Sequence, residues 1–179
     1  MRHISPDDVI LGLLAKQRSY GYLLLEHFRS DTPLGRIWSL STSQLYVILK
    51  RLEHREDIDG CEFFPDDAPP RTEYWLTPAG RFRFENWLHT PFPSAITRSI
   101  RTEFLSRLYI ARLNNLPTQP IIDAQREACQ RQHLLLIEQR DQSQDEITYL
   151  SLDLVVAEMN VMLEWLGRCE RNATSPTIT

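Results

Sequence analysis

Hydrophobic residues in the first half of the chain recur at helical spacing in three successive segments. Ser5-Pro6-Asp7-Asp8 combines a serine N-cap, a proline at the first helical position and two acids near the positive end of the helix dipole. This pattern predicts a helix over 5–16. A short helix is expected over 22–29, and a third follows Ser41-Thr42-Ser43 and has apolar residues three and four positions apart.

Two short strands are predicted after the third helix. Residues 61–64 and 72–76 have strand-like composition, and the prolines and aspartates between them predict a loop. Thr77-Pro78 again places a capping residue before a proline, so a fourth helix is expected to run to about residue 88. Three helices followed by a hairpin is the order of elements in a winged helix-turn-helix domain.

The second half of the chain has a wholly helical pattern. Thr90-Pro91-Phe92-Pro93-Ser94 marks a predicted domain junction, and helices are expected from about 100 to 113, from about 117 to 143 and from 146 to 170. In the last helix the apolar face is wider than a surface helix needs, which predicts a partner subunit. Its heptad-like positions are Ile147, Leu150, Leu154, Ala157 and Val161.

The predicted fold is mainly α with a small β-hairpin and comprises two domains. Residues 1–89 form a winged helix-turn-helix domain, residues 95–171 form antiparallel helices that dimerise, and residues 172–179 form a disordered tail. The side chains expected at the dimer interface are Phe104, Leu105, Leu108, Leu154, Val161, Met162 and Trp165.

Composition narrows the class of protein without identifying its partner. The 179 residues carry a net charge of −4, so any DNA contact must come from a local cluster of basic residues. No apolar run is long enough to cross a bilayer and no secretory signal is present, so a cytoplasmic location is expected. Cys61, Cys129 and Cys169 are odd in number and far apart, which favours reduced thiols.

The sequence predicts neither an enzyme nor a cofactor or metal site. Its histidines are scattered, and neither a glycine-rich phosphate loop nor a paired-carboxylate motif is present. Cys129 and His133 have a spacing that can bind metal, but two ligands without a third favour a structural or surface role. No catalytic residue is therefore assigned.

The third predicted helix is the candidate for DNA recognition. Its first turn offers Ser41, Thr42, Ser43 and Gln44, and Gln44 is the best candidate for paired hydrogen bonds to an adenine. Farther along the chain, Lys50 and Arg51 are candidates for phosphate contacts, as is Arg71 at the base of the wing. Each has a structural alternative. The serines and threonine cap the helix, Tyr46 packs against the wing, or Lys50 and Arg51 form a solvated surface.

Several segments together resemble the PadR family of bacterial transcriptional regulators. They are Ile10-Leu11-Gly12-Leu13-Leu14, Gly21-Tyr22, Ser43-Gln44-Leu45-Tyr46, Leu49-Lys50-Arg51-Leu52-Glu53 and Pro69-Pro70-Arg71-Thr72-Glu73-Tyr74-Trp75-Leu76-Thr77-Pro78-Ala79-Gly80. Residues 103–108 further resemble the branch related to virulence-gene activators. The resemblance implies a homodimeric DNA-binding regulator, commonly a repressor, with Tyr22, Tyr46, Lys50 and Arg71 at the DNA.

The chain departs from the family pattern before the wing. Residues 53–60 are unusually acidic and lack the customary glycine before the first wing strand. These acids, with Asp66 and Asp67, are expected to oppose contact between the wing and DNA. Two alternatives therefore stay open: a winged-helix module that binds protein, and a sensor of a small-molecule effector. In the last helix Glu158 is expected on a side otherwise made of apolar residues, where a buried carboxylate needs a partner. That partner is either an arginine of a neighbouring helix, such as Arg107 or Arg112, or a cationic ligand or partner protein.

Overall fold

The computed structural model describes residues 5–64 and 70–173. In chain order, the elements are α1 (Asp7–Lys16), β1 (Ser19–Tyr20), α2 (Gly21–Glu26), α3 (Thr42–His54), β2 (Ile58–Phe63), β3 (Arg71–Leu76), α4 (Pro78–Leu88), α5 (Thr97–Ser99), a π-helical turn (Ile100–Phe104), α6 (Leu105–Leu113), α7 (Gln119–Asp141) and α8 (Glu146–Ala173). The predicted fold class is confirmed, since a small antiparallel sheet accompanies these helices.

The sheet contains one strand that the sequence pattern did not predict. The strand order is β1-β3-β2, and Ser19 and Tyr20 of β1 pair with Tyr74 and Glu73 of β3. The pattern had indicated only a break between helices at this point. Strand β2 also begins at Ile58, three residues before the predicted start at residue 61, and pairs along its whole length with β3.

Helix starts follow the predicted capping chemistry at α3 and α4 but not at α1. Ser41 is the N-cap of α3, and Thr77 is the N-cap of α4 with its hydroxyl accepting from the Gly80 amide at 3.0 Å. At α1 the N-cap is Pro6 rather than Ser5. The Ser5 hydroxyl donates to the Asp7 carboxylate instead, because that carboxylate lies at the centre of an ion-pair cluster.

The chain divides into two compact units. One contains Met1–His89 with Arg101–Pro117, and the other contains Thr90–Ile100 with Thr118–Thr179. The first unit is built around leucines and isoleucines of α1 and α3, and α4 abuts the turn before β2. At this junction a Cβ on Gly80 would lie 1.8 Å from the Asp57 carbonyl oxygen, so only glycine allows the approach.

Helix α6 belongs to the first unit, which therefore extends beyond the domain predicted at 1–89. A Cβ at Gly12 in α1 would lie 2.4 Å from Ile110 of α6, so the two helices are in close contact. The Asn114 amide donates to the Gly12 carbonyl at 3.0 Å, and the Trp38 indole donates to the Ser106 hydroxyl at 2.8 Å. These contacts between residues distant in sequence leave no local pattern that would reveal them.

The second unit is centred on a hairpin of α7 and α8. Arg140 near the end of α7 contacts Asp153 near the start of α8 at 3.0 Å, and Arg126 pairs with Glu170 at the opposite ends, so the helices are antiparallel. Helix α8 continues to Ala173; the rest of the predicted tail, 174–179, lies outside the described residues. Among the described helices, none is long and apolar enough to traverse a bilayer.

Candidate nucleic-acid interface

The first turn of α3 is closed by a capping box. The Ser41 hydroxyl accepts from the Gln44 amide at 3.3 Å, and the Gln44 side-chain oxygen accepts from the Ser41 amide at 2.8 Å. Paired hydrogen bonds to adenine would require this same carboxamide oxygen. The capping alternative therefore describes the geometry of Ser41 and Gln44, and a base contact by Gln44 would require the cap to open.

The outward surface of α3 is exposed along its whole length. The inward surface consists of Leu45, Ile48, Leu49 and Leu52, all buried. On the opposite side Ser43, Tyr46, Val47 and Lys50 are exposed, as is Thr42 in the first turn. The sequence analysis singled out all of these outward residues except Val47. A helical projection centred on the buried leucines would have identified it, because Val47 lies directly opposite them.

Arg51 is turned away from this outward surface. Its Nε donates to the Asp7 carboxylate at 3.0 Å and its Nη2 donates to the Ser5 hydroxyl at 3.0 Å. Arg55 also lies 3.6 Å from Asp7. Arg51 was predicted to contact DNA, but its guanidinium binds Asp7, 44 residues earlier in the chain. This contact connects α3 to the start of α1.

The Asp7 cluster extends to α4 and to the turn before the wing. Arg83 donates to Asp8 at 2.8 Å and to Asp57 at 2.5 Å. Burial alone would raise the pKa of Asp7, but hydrogen bonds from Arg51 and Ser5 and the charges of Arg51 and Arg83 together lower that pKa below its usual value. Asp7 therefore remains ionised and holds α1, α3 and α4 in a fixed relation.

The base of the wing carries a stack of aromatic rings beneath Arg71. The Arg71 guanidinium carbon lies 4.7 Å from the centre of the Tyr20 ring and 5.5 Å from that of Phe63. Tyr20 in turn stacks on Tyr22 with 5.8 Å between ring centres. Within the described ranges Arg71 and Lys50 have no ion-pair partner within 4.0 Å.

A cavity of about 390 Å³ opens between the wing base and α3. Burial raises the pKa of Tyr74, so this hydroxyl is neutral and can donate a hydrogen bond at physiological pH. The cavity brings together three of the sequence-predicted DNA contacts, Tyr22, Tyr46 and Arg71. Its lining residues are Tyr20, Gly21, Tyr22, Tyr46, Pro70, Arg71, Thr72 and Tyr74.

Several of the acidic residues before the wing have a structural role within the chain. Asp57 is buried and paired with Arg83. Glu56 has a positive φ of 58° and follows the end of α3 in the left-handed conformation that glycine most often adopts there. Burial and the charge of Asp59 raise the pKa of Glu53, and Lys50 opposes that shift. Asp66 and Asp67 lie outside the described residues.

Helix α8 carries an exposed apolar stripe. Ile147, Leu150, Leu154 and Val161 recur at spacings of three, four and seven, and Leu154 and Val161 are 62% and 63% exposed. Leu105, Met162 and Trp165 are half-buried, whereas Phe104 and Leu108 are already buried in the single chain. Glu158 is exposed, so the argument that it needs a ligand or partner to offset burial no longer holds.

Comparison with known proteins gives consistent family matches. Residues 10–86 match the model of the transcriptional regulator PadR-like family. The negative transcriptional regulator PadR of Bacillus subtilis (strain 168) is 31% identical over 102 residues, which cover 56% of this chain and 53% of that protein. The chain thus spans about half the length of this curated relative.

Two solved structures are also similar. Bacillus subtilis PadR in complex with operator DNA has 24% sequence identity and a TM-score of 0.46, covering 94% of this chain and 98% of that one. A transcriptional regulator from Clostridium thermocellum has 29% identity and a TM-score of 0.39, covering 45% of this chain and 75% of that one.

Proposed function

We propose that this chain, whose residues 10–86 match the model of the transcriptional regulator PadR-like family, binds operator DNA as a homodimer and represses transcription. The observation that carries the proposal is the exposed surface of α3, flanked by Lys50 and Arg71, which have no ion-pair partner among the described residues. An α-helix fits the major groove, and nearby basic side chains neutralise phosphates. Such a regulator would act in the cytoplasm without catalysis.

Phosphate contact is assigned to Lys50 and Arg71, and Arg71 shares the wall of the cavity with Tyr22 and Tyr46. Thr42 and Ser43 in the first turn supply further hydrogen-bonding groups. Arg51 takes a different role: through Asp7 it sets the orientation of α3 without touching DNA itself. The proposal therefore retains most of the sequence-predicted contacts and reassigns Arg51 and Gln44 to positioning α3.

A second copy of the chain is the proposed occupant of the apolar stripe on α8. Two-fold pairing would bury Leu154 and Val161 of both copies, with Trp165 at the same side of the helix. Phe104 and Leu108 are left out of this interface because the single chain buries them. A dimer is also what a pseudo-palindromic operator requires, since each copy would present one α3 to one half-site.

The test is binding to duplexes selected from a randomised pool, measured by fluorescence anisotropy across a range of salt concentrations. Affinity should fall steeply with salt, with a logarithmic slope of about 0.9 for each phosphate neutralised. Lys50→Ala and Arg71→Ala should each reduce that slope by about 2, because a dimer loses two contacts. Arg131→Ala, which removes the same charge from an exposed pair in the other unit, is the control.

A winged-helix module that binds protein is the alternative function. It is favoured by the apolar part of the outward surface, where Val47, Tyr46 and Tyr22 are exposed, and by the net charge of −4. If no duplex is enriched from the pool and binding to DNA is weak at every salt concentration, this alternative replaces the DNA-binding proposal.

A small-molecule effector would find a place in the cavity below Arg71. A planar organic anion could lie against the tyrosine rings and pair with the guanidinium, which is where a DNA phosphate would otherwise sit. Binding of effector and DNA would then be mutually exclusive. An aromatic carboxylate that quenches tyrosine fluorescence in the wild type but not in Arg71→Ala, and that raises the apparent Kd for DNA, would support this arrangement.

A further inference from the structure

Val47 occupies the centre of the outward surface of α3. Successive residues are rotated by about 100° around a helix, which places Val47 opposite the buried Leu45, Leu49 and Leu52. Its side chain is 61% exposed, and its neighbours along the same surface are the exposed Ser43 and Lys50. Val47 therefore contributes little to the core of its own unit, and it is the aliphatic residue that a bound duplex would meet first.

The chemistry of the major groove gives such a residue one partner. All four bases present hydrogen-bonding groups there, but only thymine presents a methyl group, at C5. Valine has neither donor nor acceptor, and its β-branched side chain has one strongly preferred rotamer in a helix, so its methyl groups are held in place. Gln44, by contrast, keeps its carboxamide oxygen on the Ser41 amide.

We propose that Val47 is a specificity-determining residue that contacts the C5 methyl group of one thymine in each half of the operator. The inference rests on the proposed function, and it adds the base and the atom that α3 distinguishes. Recognition at this base pair comes from apolar contact, and Ser41 and Gln44 remain engaged in the helix cap. A protein surface packed on Val47 is the competing outcome.

The experiment replaces each thymine of the best-binding selected duplex, one at a time, by deoxyuridine, which lacks only the C5 methyl group. Full-length wild-type protein should lose about fourfold in affinity at one thymine in a half-site, and about fifteenfold when both symmetry-related thymines are replaced. The remaining thymines should tolerate the change. Fluorescence anisotropy at one fixed salt concentration gives each Kd.

Variants of α3 test whether Val47 is the residue that discriminates thymine from deoxyuridine. Val47→Ala should bind the thymine and deoxyuridine duplexes equally, both with about the affinity of wild type for the deoxyuridine duplex. Val47→Thr keeps one methyl group and should retain part of the discrimination. Lys50→Ala, the matched control on the same surface, should bind both duplexes more weakly and by the same factor, so its discrimination stays at the wild-type value.

Two outcomes overturn the inference and leave the proposed function standing: a wild-type protein that is indifferent to every methyl group, or a Val47→Ala variant that still discriminates. A pool that yields no bound duplex refutes the proposed function itself, and this inference falls with it. Because Val47 is exposed, the alanine variant should fold, and an unchanged thermal unfolding midpoint verifies that point.

Discussion

Replacing Leu154 by alanine should weaken the dimer strongly while leaving the fold of the subunit intact. Full burial of a leucine side chain stabilises by about 1.5–3 kcal/mol, and Leu154 is 62% exposed in the single chain. Its burial in the interface is then worth about 1–2 kcal/mol per copy. Two-fold symmetry doubles that figure to about 2–4 kcal/mol, which corresponds to an increase of about 30- to 700-fold in the dimer dissociation constant.

Sedimentation velocity over a range of protein concentrations measures this change against a monomer mass of 21.0 kDa. Asn160→Ala, an exposed change on another side of α8, is the matched control and should leave the dissociation constant unchanged. Val161→Ala, at the next heptad position, should act like Leu154→Ala. The reasoning is refuted if Leu154→Ala dimerises as tightly as wild type, or if the wild type is monomeric at micromolar concentration.

Three further changes test the packing and charges that position α3. Asp7→Asn should lower the free energy of unfolding by about 1–3 kcal/mol at pH 7. Because the pKa of Asp7 is lowered in the folded protein, this difference should shrink as pH falls below 3.8, the pKa of an unperturbed aspartate, and urea unfolding across pH measures it. Glu56→Gly should stabilise by about 0.5–1 kcal/mol by relieving the positive φ, and a loss of stability in thermal unfolding would contradict that explanation. Gly80→Ala should destabilise severely because its Cβ would meet the Asp57 carbonyl, whereas Gly167→Ala, with 3.8 Å of clearance, should raise the unfolding midpoint slightly.

Local sequence signals predicted the helices and the wing well. Helix starts depend on residues within a single turn, such as the caps at Ser41 and Thr77 and the proline at the start of α4. They can therefore be predicted from the local sequence alone. The spacing of three residues between Ser41 and Gln44 is also the signature of a capping box, and weighing it against base contact would have indicated the role that the structure gives Gln44.

Features that depend on contacts between residues distant in sequence could not be predicted from the local sequence pattern. Strand β1 has two residues and exists because β3 offers an edge to Ser19 and Tyr20. Arg51 turns inward because Asp7, far away in sequence, holds its guanidinium. Phe104 and Leu108 were predicted at the dimer interface, yet both are already buried in the single chain. An apolar stripe in the sequence predicts that a helix surface is buried, but it does not distinguish burial within the same chain from burial against a second copy.

Affinity cleavage from α3 tests the central claim most directly. An iron chelate attached to Ser43→Cys, in a background with Cys61→Ser to remove an exposed thiol, generates radicals at the predicted groove surface. The account predicts two clusters of cuts in the selected duplex, related by its dyad and separated by about one helical repeat of 10–10.5 base pairs or a multiple of it. Uniform cleavage, or none, while the labelled protein still binds the duplex, would show that α3 does not enter the groove.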